Sequence, residues 1–287
     1  MKKNIALVLS SGGAKGFAHV GVIQALERHG FHITSVAGTS MGSLVGGLYA
    51  TGEMENLLKF IDTLDLLEVL KLTDFTVSNK GLVKGDKIIA KMKELIPDRN
   101  IEDLKIPYCA IATDIVNGNE KVFTSGKLYD AIRASISIPT VFKPAKIDGH
   151  YYVDGGVLNP IPINRVARKR RDIVVAVNVN ALIPPEKRKE TPIENKYLKQ
   201  IKLMHTKIGN LIPKNKTDNI GYFNLTTKSI NLMLNQISEM TIAQNPPDIL
   251  INISNDQYGI FDFYKAKEIV ATGDHATETA IKKYLGK

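Results

Sequence analysis

The sequence predicts a three-layer α/β/α fold with a mainly parallel central sheet and a helical C-terminal portion. Two observations support this prediction. Residues 5–50 twice repeat an apolar run, a glycine-containing turn and a segment of helical periodicity, which is typical of a βαβα unit with parallel strands. The runs Ile5–Leu9 and Ile33–Ala37 are almost entirely apolar or β-branched, as expected for strands that are covered on both faces.

Composition is that of a soluble globular protein, with 44% hydrophobic and 23% charged residues in a chain of 287. We expect a core over residues 1–185 and, packed on it, a helical extension with one further strand over residues 186–287. No apolar run reaches the length of a membrane span, and no signal peptide is recognisable, so the expected location is the cytoplasm, at most peripheral at the inner membrane. The single cysteine, Cys109, excludes an internal disulfide and lies in an apolar run typical of core.

The stretch Gly38-Thr39-Ser40-Met41-Gly42 joins the second strand to a helix that ends before Gly52. Glycines on both sides of a serine are typical of a sharp strand-to-helix turn, the nucleophile elbow, which exposes the hydroxyl at the positive end of the helix. Ser40 is therefore a candidate nucleophile, with Gly38 and Gly42 as the residues that permit the turn. An alternative remains open, in which Thr39 or Ser40 only caps the helix.

The loop Ser10–Gly16 after the first strand has three interpretations. A dinucleotide-binding fingerprint needs a glycine where Ser11 stands and an acid about 20 residues later, which is missing. A phosphate-binding P-loop needs Gly-Lys-Ser/Thr, whereas Lys15 precedes a glycine. The third interpretation is an oxyanion hole, in which unobstructed backbone N–H groups stabilise a developing alkoxide, and only this one makes use of Ser40. Its candidate donors are Gly12, Gly13 and Ala14.

Asp154 is the second candidate catalytic residue. Asp148-Gly149 predicts a hairpin turn, and the second arm of that hairpin ends at Asp154-Gly155-Gly156. An Asx turn explains an acid before two glycines equally well. The strand nevertheless brings the carboxylate to a sheet end like the one that carries Ser40.

Periodicity predicts the remaining elements. Residues 53–86 are helical and leucine-rich, either as core or as a lid near the site. Further helices are predicted over 86–95, 127–136, 197–208 and 228–243, strands over 106–116, 121–124, 173–179 and 248–253, and terminal helices over 261–285 broken at Gly273.

Together these motifs resemble the patatin-like phospholipases, which are lipid acyl hydrolases. The resemblance spans residues 5–180 and rests on Gly12–Gly16, Gly38–Gly42, Ser137-Ile138-Pro139 and Asp154-Gly155-Gly156 in the order of the family. It implies a catalytic dyad without histidine, in which Ser40 is the nucleophile, Asp154 the general base and the Gly-rich loop the oxyanion hole. The implied substrate is a fatty-acyl ester of a phospholipid or lysophospholipid, with no cofactor and no metal. The family loop usually has a glycine where Ser11 stands.

A Ser-His-Asp mechanism is the rival within the same class, because the chain has six histidines. In α/β-hydrolases, however, several strands precede the nucleophile, and here only one strand–helix unit precedes Ser40. His19, near the Gly-rich loop, is expected to orient that loop or to pack.

The positive charge is concentrated in residues 165–216, which hold fourteen Lys and Arg against four Asp and Glu. This segment either binds an anionic membrane or is a solvated linker. A noncatalytic module that binds anionic membrane or nucleic acid through it is the alternative function. No nucleic-acid motif accompanies the segment, so we expect no nucleic-acid partner. Whether the chain forms a homodimer stays open.

Overall fold

The computed structural model describes residues 3–64, 86–139, 141–186 and 222–286. Within these ranges an eight-stranded sheet has the order β5-β6-β3-β2-β1-β7-β8, and β4 pairs with β3. Strands β2, β1, β7 and β8 are parallel, as are β3 and β2, whereas β4, β5 and β6 form antiparallel pairs. The strands are β1 Lys3–Leu9, β2 Phe31–Thr39, β3 Tyr108–Asp114, β4 Asn119–Phe123, β5 Ala145–Ile147, β6 His150–Asp154, β7 Ile173–Ala181 and β8 Ile249–Ser254.

Helices flank this sheet, which confirms the predicted α/β class. They are α1 Ala18–Arg28, α2 Met41–Thr51, α3 Met54–Thr63, α4 Asp86–Leu95, α5 Leu128–Ser135, α6 Tyr222–Gln244 and α7 Ala266–Tyr284. Alternate residues of β1 face opposite sides of the sheet. Leu7 belongs to the large core that includes α1, α2 and α7, while Val8 packs with Ile161 and Ile163 in a smaller core that Ile242 of α6 also contacts. Both faces of the sheet are therefore covered.

The prediction of a helix break at Gly273 is wrong, because α7 continues through that residue. Its missing side chain serves helix packing instead. A Cβ at Gly273 would overlap the Ala18 carbonyl of α1, and one at Gly21 would overlap the Val270 carbonyl of α7. Two glycines thus let α1 and α7 cross closely, and the ion pair between Arg28 and Asp274 at 2.9 Å lies at the same interface.

Most other predicted elements are confirmed within two residues of their predicted ends. The hairpin predicted at Asp148-Gly149 is among them, since β5 pairs antiparallel with β6. The helix predicted over 228–243 begins earlier, at Tyr222. The predicted helix over 197–208 lies outside the described residues, as does most of the leucine-rich segment 53–86. The first part of the leucine-rich segment is α3, in which Leu57, Phe60 and Ile61 are buried. None of the helices in the described ranges is long and apolar enough to cross a membrane.

Candidate active site

Ser40 occupies a tight turn between β2 and α2. Its backbone has φ 56° and ψ −125°, in a region that residues other than glycine rarely adopt and that costs about 1–3 kcal/mol. The flanking glycines allow this turn. A Cβ at Gly38 would overlap the Gly42 carbonyl, and a Cβ at Gly42 would overlap the Leu9 carbonyl of β1. The strained residue is thus held by the close approach of α2 to two strands.

The Ser40 hydroxyl donates a hydrogen bond of 2.5 Å to Asp154 Oδ2, across 114 positions of sequence. Both residues are buried, with 2% of Ser40 and 6% of Asp154 exposed. The helix-cap interpretation is wrong for both hydroxyls. Ser40 makes no side-chain cap of α2, and Thr39 Oγ1 donates instead to the Asn159 carbonyl.

Asp154 is held at the end of β6 by its own backbone and by the turn that follows. Its N–H donates to the Ser137 carbonyl at 2.9 Å, and its Oδ1 accepts the Gly156 N–H at 2.7 Å. The Asx-turn interpretation is therefore also correct, because one carboxylate oxygen closes the turn while the other faces Ser40. Burial raises the pKa of Asp154 to about 6, although the hydrogen bonds from Ser40 and Gly156 act to lower it.

Ser135, on the last turn of α5, fixes the backbone of Ser40. Its Oγ accepts the Ser40 N–H at 2.9 Å and donates to the Ile111 carbonyl of β3 at 2.5 Å. The fully buried hydroxyl thereby links the Ser40 turn to β3. Sequence periodicity places Ser135 on the inner face of its helix, but gives no indication of this contact.

The Gly-rich loop approaches Ser40 at the carboxyl ends of β1 and β7. Gly12 and Gly13 line the same cavity as Ser40 and Asp154, and their N–H groups have no hydrogen-bond acceptor among the described residues. The Ala14 N–H, by contrast, donates to the Ile260 carbonyl at 3.0 Å. Because the Ala14 N–H is already donated, Gly12 and Gly13 remain the candidate oxyanion donors.

Polar side chains hold the Gly-rich loop through the carbonyl groups of its first two residues. Asn180 Nδ2 donates to the Ser11 carbonyl at 2.6 Å, and His19 Nε2 contacts the Ser10 carbonyl at 2.9 Å. Burial lowers the pKa of His19 to about 4, which keeps the ring neutral at physiological pH. Lys15 does not line the cavity and is buried against Asn255. Its Nζ donates to Asn255 Oδ1 at 2.6 Å, and burial lowers its pKa to about 8, against an opposing effect of the Asp256 charge.

Among the described residues, no histidine hydrogen-bonds the Ser40 hydroxyl. His150 contacts Asp114, His29 contacts Glu278 and His275 contacts Glu186, all through their carboxylates. His205 lies outside the described residues. This arrangement supports the two-residue constellation over a Ser-His-Asp triad.

The cavity that contains Ser40 and Asp154 has a volume of about 90 Å³. Its polar end holds these two groups with the Gly-rich loop and Asn180, and apart from Asn231 of α6 the rest of its lining is mainly apolar. The apolar lining residues come from the loop after α5, the turn after β6, α6 and the loop after β8: Ile138, Pro139, Val141, Val157, Ile230, Leu234, Ile260 and Phe261. Such a lining suits a hydrocarbon chain attached to a polar reacting group.

The cationic cluster Arg168–Arg171 of the basic segment lies away from this cavity. Arg168–Arg171 is exposed and immediately precedes β7, whereas Ser40 follows β2. Both strands pair in parallel with β1, so β2 and β7 run in the same direction. A residue before one parallel strand and a residue after another lie at opposite ends of the strands. Within the same described ranges, no three His, Cys, Asp or Glu side chains gather where they could hold a metal ion.

Comparison with known proteins agrees with the geometry. The family model described as "Patatin-like phospholipase" matches residues 7–167. An uncharacterised NTE family protein of Mycobacterium bovis is 28% identical over 98% of this chain and 92% of its own length. Lysophospholipase NTE1 of Meyerozyma guilliermondii is 32% identical over 62% of this chain and 13% of its own length. The solved structure of VipD from Legionella pneumophila aligns with a TM-score of 0.47 and 15% identity, over 99% of this chain and 67% of VipD.

Proposed function

The chain belongs to the patatin-like phospholipase family of lipid acyl hydrolases, and we propose that it cleaves fatty-acyl esters of phospholipids or lysophospholipids through Ser40 and Asp154. The hydrogen bond of 2.5 Å from Ser40 Oγ to Asp154 Oδ2, inside an apolar cavity, is the observation that carries the proposal. It joins a nucleophile to a base within proton-transfer reach.

In the first half-reaction Ser40 Oγ attacks the ester carbonyl carbon while its proton passes to Asp154 Oδ2. The carbonyl oxygen becomes an oxyanion beside the free N–H groups of Gly12 and Gly13. As the tetrahedral intermediate collapses, the bond from carbon to the alcohol oxygen breaks and the alcohol takes the proton from Asp154. The acyl group remains as an ester of Ser40.

In the second half-reaction water attacks the acyl-Ser40 ester and gives its proton to Asp154. Collapse of this intermediate returns the proton to Ser40 Oγ and releases the fatty acid. Asp154 can accept a proton in both halves because burial raises its pKa to about 6, closer to neutral pH than an exposed carboxylate. General-base catalysis of this type contributes about 10²–10⁴-fold, and each oxyanion donor about 10²–10³-fold.

The test is hydrolysis of lysophospholipid, phospholipid and simple ester panels by wild type, Ser40→Ala and Asp154→Asn. Both variants are expected to lose hydrolysis, and a fluorophosphonate is expected to label wild type at Ser40. Asp148→Asn is the matched control, because it makes the same change on the exposed turn between β5 and β6. Hydrolysis that survives in Ser40→Ala would show that the nucleophile is another residue.

A further inference from the structure

Part of the apolar lining of the cavity comes from a part of the chain that the family model does not match. The model matches residues 7–167, which contain Ser40 and Asp154. Ile230 and Leu234 of α6 line the cavity, as do Ile260 and Phe261 after β8, and these four residues are called the C-terminal wall. The reacting groups and the C-terminal wall therefore come from different parts of the sequence.

Helix α6 presents two distinct faces. Ile230 and Leu234, one turn apart, face the cavity, and Asn235 and Ser238 are buried beside them. Leu232 and Met233 point to solvent, with 68% and 57% of their surface exposed. The inner face thus contributes side chains to the cavity, and the outer face offers positions of the same chemical type that do not reach it.

Leu234 lies close to the reacting groups. Its Cδ2 is 3.4 Å from the position that a Cβ on Gly156 would occupy, and the Gly156 N–H holds the Asp154 carboxylate. An acyl chain attached to Ser40 in this cavity would share the space with Leu234 and with Ile138, Val141 and Val157, which also line it. The side chains of α6 therefore limit the room for that chain.

The cavity volume sets the scale of this limit. Pockets that enclose drug-sized ligands usually measure about 300–1,000 Å³, whereas this cavity measures about 90 Å³. One larger or smaller side chain in the wall is therefore a large fraction of the available space. A small volume beside the nucleophile favours acyl chains whose bulk fits its walls.

We propose that Leu234, with Ile230 beside it, determines which acyl chains this enzyme accepts, so that the C-terminal part of the chain sets acyl specificity. This inference rests on the proposed function, because it assigns the acyl group to the α6 side of the cavity. Each substrate methylene that is buried against the wall contributes about fourfold to kcat/KM. An acyl chain that a larger side chain excludes from the wall loses that contribution to kcat/KM.

The experiment measures kcat/KM for p-nitrophenyl esters from butanoyl to hexadecanoyl with wild type, Leu234→Ala and Leu234→Phe. The ratio of dodecanoyl to butanoyl kcat/KM is expected to rise at least threefold in Leu234→Ala and to fall at least tenfold in Leu234→Phe. Leu232→Ala and Leu232→Phe are the matched controls, on the outer face of the same helix, and should leave the ratio within about twofold of wild type. Circular dichroism checks that each variant is folded.

A second readout follows the covalent step alone, through the rate at which short-chain and long-chain alkyl fluorophosphonates label Ser40, measured by intact mass. The labelling ratio should move as the kinetic ratio does. If the Leu234 variants change all chain lengths by the same factor, or the Leu232 variants move the ratio as much, the assignment of the wall is wrong while the hydrolase stands. If wild type neither hydrolyses any ester nor reacts at Ser40, both the proposed function and this assignment fail.

Discussion

The raised pKa of Asp154 predicts how activity depends on pH. The ordinary value of 3.8 is raised to about 6, chiefly by burial, and Asp154 must be ionised to accept the Ser40 proton. At pH 5 about one tenth of a group with pKa 6 is ionised, and at pH 7 about nine tenths. We therefore expect kcat/KM to rise about tenfold between pH 5 and pH 7 and to change little above pH 7.5.

The assay uses an uncharged, soluble ester at constant ionic strength, so that the profile reports the free enzyme. Asp148→Asn, the exposed matched control, should give the same profile as wild type. A profile that is already flat at pH 5 would show that the base has an ordinary carboxylate pKa. An inflection near 6.5 that disappears on replacement of a histidine would show that the base is an imidazole, and would refute the dyad.

The raised pKa of Asp154 also predicts how the stability of the fold depends on pH. The folded protein binds the Asp154 proton more tightly than the unfolded chain does, so ionisation of this group destabilises the fold as pH rises from about 4 to 6. Asp154→Asn removes that effect. The stability of the variant relative to wild type should therefore increase between pH 4 and pH 7, by up to about 3 kcal/mol in the free energy of urea unfolding. A constant difference would argue against a buried, ionised carboxylate.

Three further predictions follow from the site and its surroundings. Ser135→Ala leaves the buried Ser40 N–H without its acceptor, so the free energy of urea unfolding should fall by about 1–3 kcal/mol, and kcat should fall more than KM changes. Lys15 has a pKa lowered to about 8 by burial, so wild type should gain thermal stability relative to Lys15→Met as pH rises from 7 to 10, where the unfolded chain still binds that proton. Replacing Arg168 and Arg171 with glutamine should leave the rate of hydrolysis in anionic vesicles within about twofold of wild type, because these residues lie at the end of the strands opposite Ser40. A loss of tenfold or more would show that the basic cluster binds the bilayer.

The positions of Ser40 and Asp154 could be predicted because local rules of the chain encode them. A glycine on each side of Ser40 has few explanations other than a sharp turn, and the hairpin signal at Asp148-Gly149 places Asp154 at the end of a strand. Such inferences need only short-range patterns. The meeting of the two residues depends on the register of the sheet instead: β6 runs antiparallel to β3, and Asp154 pairs with Ala112, next to Ile111, which pairs with Thr39.

Contacts between distant segments could not be predicted in this way. The Ala14 N–H was expected to face an oxyanion, but the Ile260 carbonyl accepts it, and the two residues are 246 positions apart. Gly273 was expected to end a helix, yet it is the contact with Ala18 that requires a glycine there. In each case a tertiary contact decides the role of a residue whose local pattern permits several roles.

The position of the Gly-rich loop consequently depends on residues from both ends of the chain. Gly12 and Gly13 follow β1, and the two residues after them contact the C-terminal part of the chain. The Ala14 N–H donates to the Ile260 carbonyl, and Lys15 Nζ donates to Asn255. Because Ile260 also lines the cavity, the segment after β8 both contacts the Gly-rich loop and borders the cavity. A change in this segment is therefore expected to alter the proposed oxyanion donors and the proposed acyl site together, although the segment lies outside the matched region 7–167.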